Sequence, residues 1–483
     1  MKKIHSFLYA LFAFLAITLV CCSDPNPAPE PDPDPNNGEE PIEEPELAKL
    51  VLSIPITGDQ WIFQDKPSIT IHAQNPNDQA MTAEAKVVIT TDKKGKVVTL
   101  EKSMEIAGKA EQDIVFTTDD PLPAGFYRAT CTVNRKSALV PLEGVRKGEK
   151  VNTFVFGINP TQIVSEPDKQ DDFDTFWDAT IAELEAVDMD PKLIEIPKFS
   201  TSARKVYMVE MQSLPDGPAG DPVLIHGYYL EPQDGKKHPV IMHYYGYDDL
   251  NPSNDKIFCP DGGSSQEFAE FYLSTRGQII NNRTADKRAD GLEMDFVNTY
   301  GDWFAFNFGQ RDAYYYRGAF MDCVQGIRFM ATRSTSDMNN VFAEGKSQGG
   351  AFSYAAAALS PHPLRAISPG VAFLGDFPDY FNIVDWPANV AKQGKKAMGM
   401  SDEEMYRFLS YFDTKNLATR INSAVIANIC LQDVICPPHT NIAPFNNLSN
   451  PDKEVHFYPL LDHDIPAGWD SKYMAFFKKH IAN

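Results

Sequence analysis

Residues 341–350 read Val-Phe-Ala-Glu-Gly-Lys-Ser-Gln-Gly-Gly, and an alanine-rich stretch, 351–359, follows at once. An apolar run that passes through Gly-x-Ser-x-Gly into a helix former constrains this chain more than any other stretch in it. Such a turn is so sharp that its central residue, Ser347, is held in strained backbone, and the residues two places to either side can carry no side chain. Gly345 and Gly349 meet that demand. Ser347 then stands at a helix N-terminus, where unpaired N–H groups and the helix dipole favour developing negative charge. A bare Gly-x-Ser-x-Gly arises often by chance. One bounded by this strand and this helix points to a nucleophilic serine.

A serine displayed in this way needs a parallel sheet behind it, and residues 159–483 have that grammar. After Asn159-Pro160 a helix opens at Asp171-Asp172, with Phe173, Phe176, Trp177, Ile181, Leu184 and Val187 on one face. Two β-like stretches follow, 205–214 and 223–231. Strands then alternate with helices at 240–244, 270–275, 341–345, 366–368, 424–431 and 454–459. The alternation predicts an α/β architecture, a mostly parallel sheet with helices on both faces. Residues 47–158 differ. Short alternating strands at 50–54, 68–73, 85–90, 97–100, 113–116, 127–133 and 152–156 are separated by turn material such as Asp92-Lys93-Lys94-Gly95. That spacing predicts an all-β, immunoglobulin-like sandwich. It holds no catalytic constellation and reads as a rigid spacer, with a carbohydrate-binding or oligomer-controlling module as the alternative.

The first 46 residues read as targeting. Lys2 and Lys3 precede an apolar run from Phe7 to Val20, too short to span a bilayer but suited to a signal-peptide core. The run ends Leu19-Val20-Cys21-Cys22, like a bacterial lipoprotein box. Cys22 suits lipidation better than Cys21, because a small residue precedes it. Residues 1–21 are thus expected to be a lipoprotein signal, and 22–46 a tether whose alternating prolines and like charges keep it extended. This tether holds 9 acidic residues and no basic one, which accounts for part of the net charge of −22. So acidic a chain argues against a nucleic-acid partner. The other cysteines, Cys131, Cys259, Cys323, Cys430 and Cys436, show no metal-binding spacing and read as buried apolar residues. A pairing of Cys430 with Cys436 stays open. Neither a metal nor a cofactor is expected.

A hydroxyl nucleophile needs a base, and the base needs an orienting carboxylate. His463 lies just beyond the last strand and Asp433 just beyond the one before it, at the strand ends where open α/β sheets place ligands. His439 is the main rival base, although it follows two prolines in the loop of Asp433 itself. His456 falls inside a strand and reads as packing. Asp462 and Asp464 compete with Asp433, with loop solvation as their alternative role.

These residues carry a family resemblance. Residues 160–480 resemble carbohydrate esterase family 7, the acetyl xylan esterase and cephalosporin C deacetylase family. The likeness lies in Asp172-Phe173-Asp174-Thr175-Phe176-Trp177, Tyr244-Tyr245-Gly246-Tyr247, Arg276-Gly277-Gln278, Tyr314–Arg317 with Asp322, residues 345–350, Leu409–Asp413 with Asn416, and Asp433–Pro438. The resemblance implies an α/β-hydrolase fold with nucleophile Ser347, acid Asp433 and base His463. It also implies an oxyanion hole formed by the backbone N–H groups of Gln348 and Tyr247, and a supporting role for Arg276, Gly277 and Gln278. Two positions depart from the family pattern: Lys346 stands where glycine is usual, and Asp464 where glutamate is usual. The family's typical members are cytoplasmic hexamers without an anchor or a sandwich. Homo-oligomerisation is therefore an expectation that the resemblance alone carries. The activity the resemblance implies is removal of O-acetyl groups from plant oligosaccharides, and the box ending at Cys22 sets the expectation that the enzyme is lipid-anchored in the envelope of a Gram-negative bacterium. The alternatives are an inactive glycan-binding lipoprotein and an esterase for pectin or feruloyl esters.

Overall fold

The structure, a computed structural model, describes residues 47–247, 259–278 and 300–482. The signal segment, the tether and Cys22 lie outside these residues. All seven expected N-terminal strands are present, and they form two main sheets. One sheet joins Val51–Ser53, Ile69–Gln74 and Glu111–Phe116. The other is built on Met81–Thr91, Lys96–Ile106, Gly125–Val133 and Thr153–Ile158. Alternation does the sorting. In Met81–Thr91 the buried Ala83, Ala85, Val87 and Ile89 alternate with the exposed Thr82, Glu84 and Lys86 and the half-buried Val88. They meet Ile71, Ile114 and Phe116 in one apolar core.

The helix expected after residue 171 is α1 (Phe173–Glu185). It buries Phe173, Phe176, Trp177 and Leu184, while Ile181 is half-buried and Val187 lies beyond its end. Each fully buried side chain of this kind stabilises the fold by roughly 1.5–3 kcal/mol. A nine-stranded sheet follows: β1 (Lys192–Glu195), β2 (Arg204–Ser213), β3 (Val223–Pro232), β4 (His238–Tyr244), β5 (Ala269–Ser274), β6 (Ser336–Lys346), β7 (Ala366–Gly370), β8 (Ala424–Cys430) and β9 (Lys453–Tyr458). Its order is β1-β2-β3-β5-β4-β6-β7-β8-β9; the pairs from β5 to β9 are parallel and the first three antiparallel.

Both faces of the sheet are covered, and neighbouring residues show it. Val240 and Met242 of β4 face the core that holds α2 (Tyr315–Ala331) and α3 (Gln348–Leu359). Ile241, between them, packs with Phe342 against α6 (Trp469–Lys479). Strands buried on both faces read as apolar runs, which is how Val240–Met242 of β4 and Ala424–Ala427 of β8 appear in the sequence. Between these helices lie α4 (Phe377–Ile383) and α5 (Pro438–Asn446).

From Ala48 onward the chain forms one compact unit. The sandwich is joined to the α/β part at named points. The Gln432 carboxamide accepts from Val155 N–H at 2.9 Å and donates to the Val155 carbonyl at 3.0 Å. Glu143 N–H donates to the Leu460 carbonyl, and Lys93 pairs with Asp379.

Candidate active site

The backbone at the end of β6 explains why glycine is needed there. Ser347 has φ 60° and ψ −118°, outside the usual regions for a residue with a side chain, and α3 begins at the next residue. A Cβ on Gly345 would lie 2.4 Å from the Gly349 carbonyl, and one on Gly349 would lie 2.2 Å from the Tyr244 carbonyl oxygen. Neither neighbour can give way, because both are backbone. The strained serine is pinned by its own peptide groups: its N–H donates to the Gly370 carbonyl at 2.9 Å, and its carbonyl accepts from Phe373 N–H at 3.0 Å.

Asp433 and His463 come together as expected. Nδ1 of His463 lies 2.8 Å from Oδ2 of Asp433, whose side chain is wholly buried. Oδ1 of the same carboxylate accepts from the N–H groups of Ile435 and Cys436, both at 2.8 Å, so the acid is oriented by its own loop. The loop of His463 passes over the elbow of Ser347. Lys346 Nζ meets Asp464 Oδ1 at 3.2 Å, and the Ile465 side chain lies 2.9 Å from where a Cβ on Gly370 would stand. The two departures from the family pattern, Lys346 and Asp464, are therefore partners. Burial and then Asp433 push the Cys436 thiol well up, and the Ser347 hydroxyl lies beside it.

The Arg276-Gly277-Gln278 run builds the floor of the neighbouring loop. Arg276 is buried and holds Asp322 through Nε at 2.9 Å and Nη2 at 2.6 Å, with Asp216 at 2.8 Å from Nη1. Gly318 of α2 must be glycine, since its Cβ would fall 2.1 Å from that guanidinium. Gly277 makes the turn at φ 81°. Gln278 then donates to the Gly246 carbonyl at 3.2 Å. In a planar trans peptide the N–H points away from the carbonyl. Fixing the carbonyl of Gly246 thus fixes the N–H of Tyr247 on the opposite side. A Cβ on Gly246 would lie 3.7 Å from the Ser347 Cβ, so that peptide runs beside Ser347. Gln348, at the first position of α3, supplies a second N–H with no acceptor inside its helix.

Other expectations change. Asp462 does not solvate a loop. It is fully buried, and its Oδ1 accepts from Val434 N–H at 3.0 Å and His463 N–H at 2.9 Å. The rival base His439 is committed elsewhere. Its Nδ1 faces Asp92 at 3.2 Å, and its Nε2 faces Asp379 at 3.0 Å and Asp376 at 3.3 Å. Burial opposes its charge, yet these three carboxylates carry it up to about 11. Asp376, Asp379 and His439 lie close enough to share a cation. The imidazolium, with Lys93 on Asp379 and Lys415 on Asp376, fills that role itself. His456 lies in β9 and packs edge-on against Trp469. Cys430 and Cys436 are buried free thiols, and Cys259 is half-buried. Among aromatics near the site, Tyr314 and Trp469 are core residues. Tyr247 and Trp386 are half-buried, and Trp386 is stacked on Phe373 at 5.2 Å.

A family profile decides the family. The profile of the acetyl xylan esterase (AXE1) family matches residues 161–481. The chain belongs to the acetyl xylan esterase family. It is an ester hydrolase of the α/β-hydrolase fold. Among curated proteins it is similar to acetyl esterase Axe7A of Xylanibacter ruminicola, 25% identical over 339 residues, covering 67% of this chain and 70% of that one. Among solved structures it resembles an acetyl xylan esterase from a Paenibacillus species, with a TM-score of 0.55 and 27% identity over 66% of this chain and 98% of the other. It also resembles acetyl xylan esterase 1 from a Thermoanaerobacterium species, with a TM-score of 0.53 and 25% identity over 67% and 98%. The sandwich lies outside the stretch matched by the family profile.

Proposed function

We propose that this family member removes O-acetyl groups from plant-derived oligosaccharides of the xylan type through an acyl-enzyme on Ser347. The observation that carries this is the 2.8 Å contact of Asp433 with His463 Nδ1, in a loop that passes over a strained serine at a helix N-terminus. With Nδ1–H held by Asp433, Nε2 is the basic nitrogen. The Ser347 hydroxyl turns from the Cys436 thiol to that nitrogen, gives up its proton and attacks the acetyl carbonyl. The oxyanion is received by the N–H groups of Gln348 and Tyr247, each contributing roughly 3–4 kcal/mol to the transition state. His463 returns the proton to the departing sugar hydroxyl. Water, deprotonated by the same imidazole, then releases acetate. The residues of the chain supply every proton transfer in this scheme, and no cofactor enters it.

The envelope location belongs to the same proposal. The Leu19–Cys22 box supports lipidation of Cys22, and 22–46 would hold the esterase off the membrane of a Gram-negative cell. Family likeness supports a homo-oligomer, which sedimentation would establish. The deciding experiment measures acetate released from acetylated xylo-oligosaccharides by wild type and Ser347→Ala. Loss on the order of 10⁴-fold or more is expected for the variant, and turnover at the wild-type rate would remove Ser347 as nucleophile.

A further inference from the structure

The residues preceding the proposed acid and base are both tied to the sandwich. Gln432, just before Asp433, closes a two-way clasp on the Val155 peptide and also donates to the Pro459 carbonyl at 2.8 Å. Asp462, just before His463, is held differently. Its Oδ1 receives the N–H of His463 and the N–H of Val434, the residue after Asp433. One carboxylate oxygen therefore spans both catalytic loops. Its Oδ2 is buried and makes no hydrogen bond among the described residues. The cation facing that oxygen is Arg146, whose Nε stands 3.3 Å away. Arg146 comes from the sandwich; its Nε–H donates to Glu149 Oε2 at 2.9 Å, and its Nη2 lies 2.8 Å from the same oxygen. Approach there is close: Gly144, at φ 67°, would place a Cβ 3.0 Å from the Asp464 Cβ.

A buried carboxylate with one oxygen fully used and the other unpaired is costly unless a counter-charge meets it. We propose that Arg146 is a positioning residue for the esterase: through Asp462 it holds the loops of Asp433 and His463 in register, so that the sandwich completes the active site rather than merely spacing it from the membrane. This rests on the Ser347–His463–Asp433 mechanism given above. The charged groups around Asp462 are Asp433 across the loop, His463 and Asp464 on its own segment, Lys346 on Asp464, and Arg146 with Glu149 from the sandwich. Burial and then Asp433 push the Asp462 carboxyl up, while the N–H groups of Val434 and His463, and after them Arg146, pull it down. Without Arg146, Asp462 would hold its proton to higher pH, and a protonated carboxyl is a poorer acceptor for the two loop N–H groups.

The test uses the full chain and 4-nitrophenyl acetate, from about pH 5 to about pH 9 so that the acid limb is visible. Arg146→Ala is expected to lower kcat about tenfold with KM near wild type, to move the acid limb of the profile upward, and to lower the thermal midpoint, since Asp462 Oδ2 then lies buried without its counter-charge. Arg146→Lys should restore most of kcat and the limb, and Glu149→Gln, which keeps the Arg146 charge but loosens its hold, should fall between wild type and Arg146→Ala. In an Asp462→Asn background, Arg146→Ala should add nothing, since the charge it serves is gone. Wild-type kcat and acid limb in Arg146→Ala would overturn the proposal, as would an undiminished effect in the Asp462→Asn background. The second result remains decisive if Arg146→Ala alone folds poorly. Activity in Ser347→Ala would instead strike the mechanism itself, so the two failures are told apart.

Discussion

His463 and His439 lie on neighbouring loops and helices at the same end of the sheet, and aspartates face both. His463 meets one carboxylate through one nitrogen and leaves Nε2 without a hydrogen bond among the described residues. His439 has both nitrogens facing carboxylates, three in all, from the sandwich and from α4. A general base must take and return a proton in each turnover. A ring enclosed by three negative charges stays protonated and serves as a fixed cation. The number of carboxylates within reach, more than burial, separates the proposed base from a structural histidine here.

The largest effect should come from the catalytic side of this comparison. Asp433→Asn removes the carboxylate that fixes the His463 tautomer and should lower kcat on the order of 10⁴-fold with little loss of stability, read from acetate release and thermal unfolding. An intact kcat would show that His463 does not need its single carboxylate. His439→Gln should do the reverse, sparing the chemistry while costing about 3 kcal/mol of stability, because it leaves buried carboxylates without their cation. The sign with pH is definite. The folded value, about 11, lies above the ordinary 6.5, so the stabilisation by His439 is complete below about pH 6.5 and is lost as pH rises toward 11. Denaturant unfolding should therefore show the gap between wild type and His439→Gln narrowing from neutral to alkaline pH. A constant gap would mean that the ring is neutral. The smallest effect belongs to the exposed pair of Lys346 with Asp464, whose side chains are 36% and 41% exposed. Lys346→Met should cost under about 1 kcal/mol and lose even that in high salt.

Much of this was legible in the sequence. The elbow was, because two glycines around a serine answer a local steric demand that no distant residue can alter. The strands of the large sheet were, because burial on both faces leaves unbroken apolar runs. The exception is β1, a short stretch with mostly exposed residues and no such pattern. Asp433 and His463 followed from chain order and strand ends. What escaped were single polar side chains meeting far partners. Gln432 and Val155 lie 277 positions apart, and nothing periodic announces the pair. Asp462 looked like a solvated loop residue because His463 and Asp464 follow it beyond the last strand; the covering guanidinium comes from a turn more than three hundred positions earlier. Lys346 and Asp464 each stood out as departures, but only the fold shows that they answer one another.

The clasp between Gln432 and Val155 bears on how the enzyme could be shortened. A gene cut at residue 159 would follow the visible change in architecture and keep every residue of the proposed triad. It would also strip the carboxamide beside Asp433 of both its peptide partners and open the apolar flank beneath them to water. A trimmed version of that kind would be a poor guide to the intact enzyme, and any weakness it showed would belong to the cut surface rather than to the chemistry.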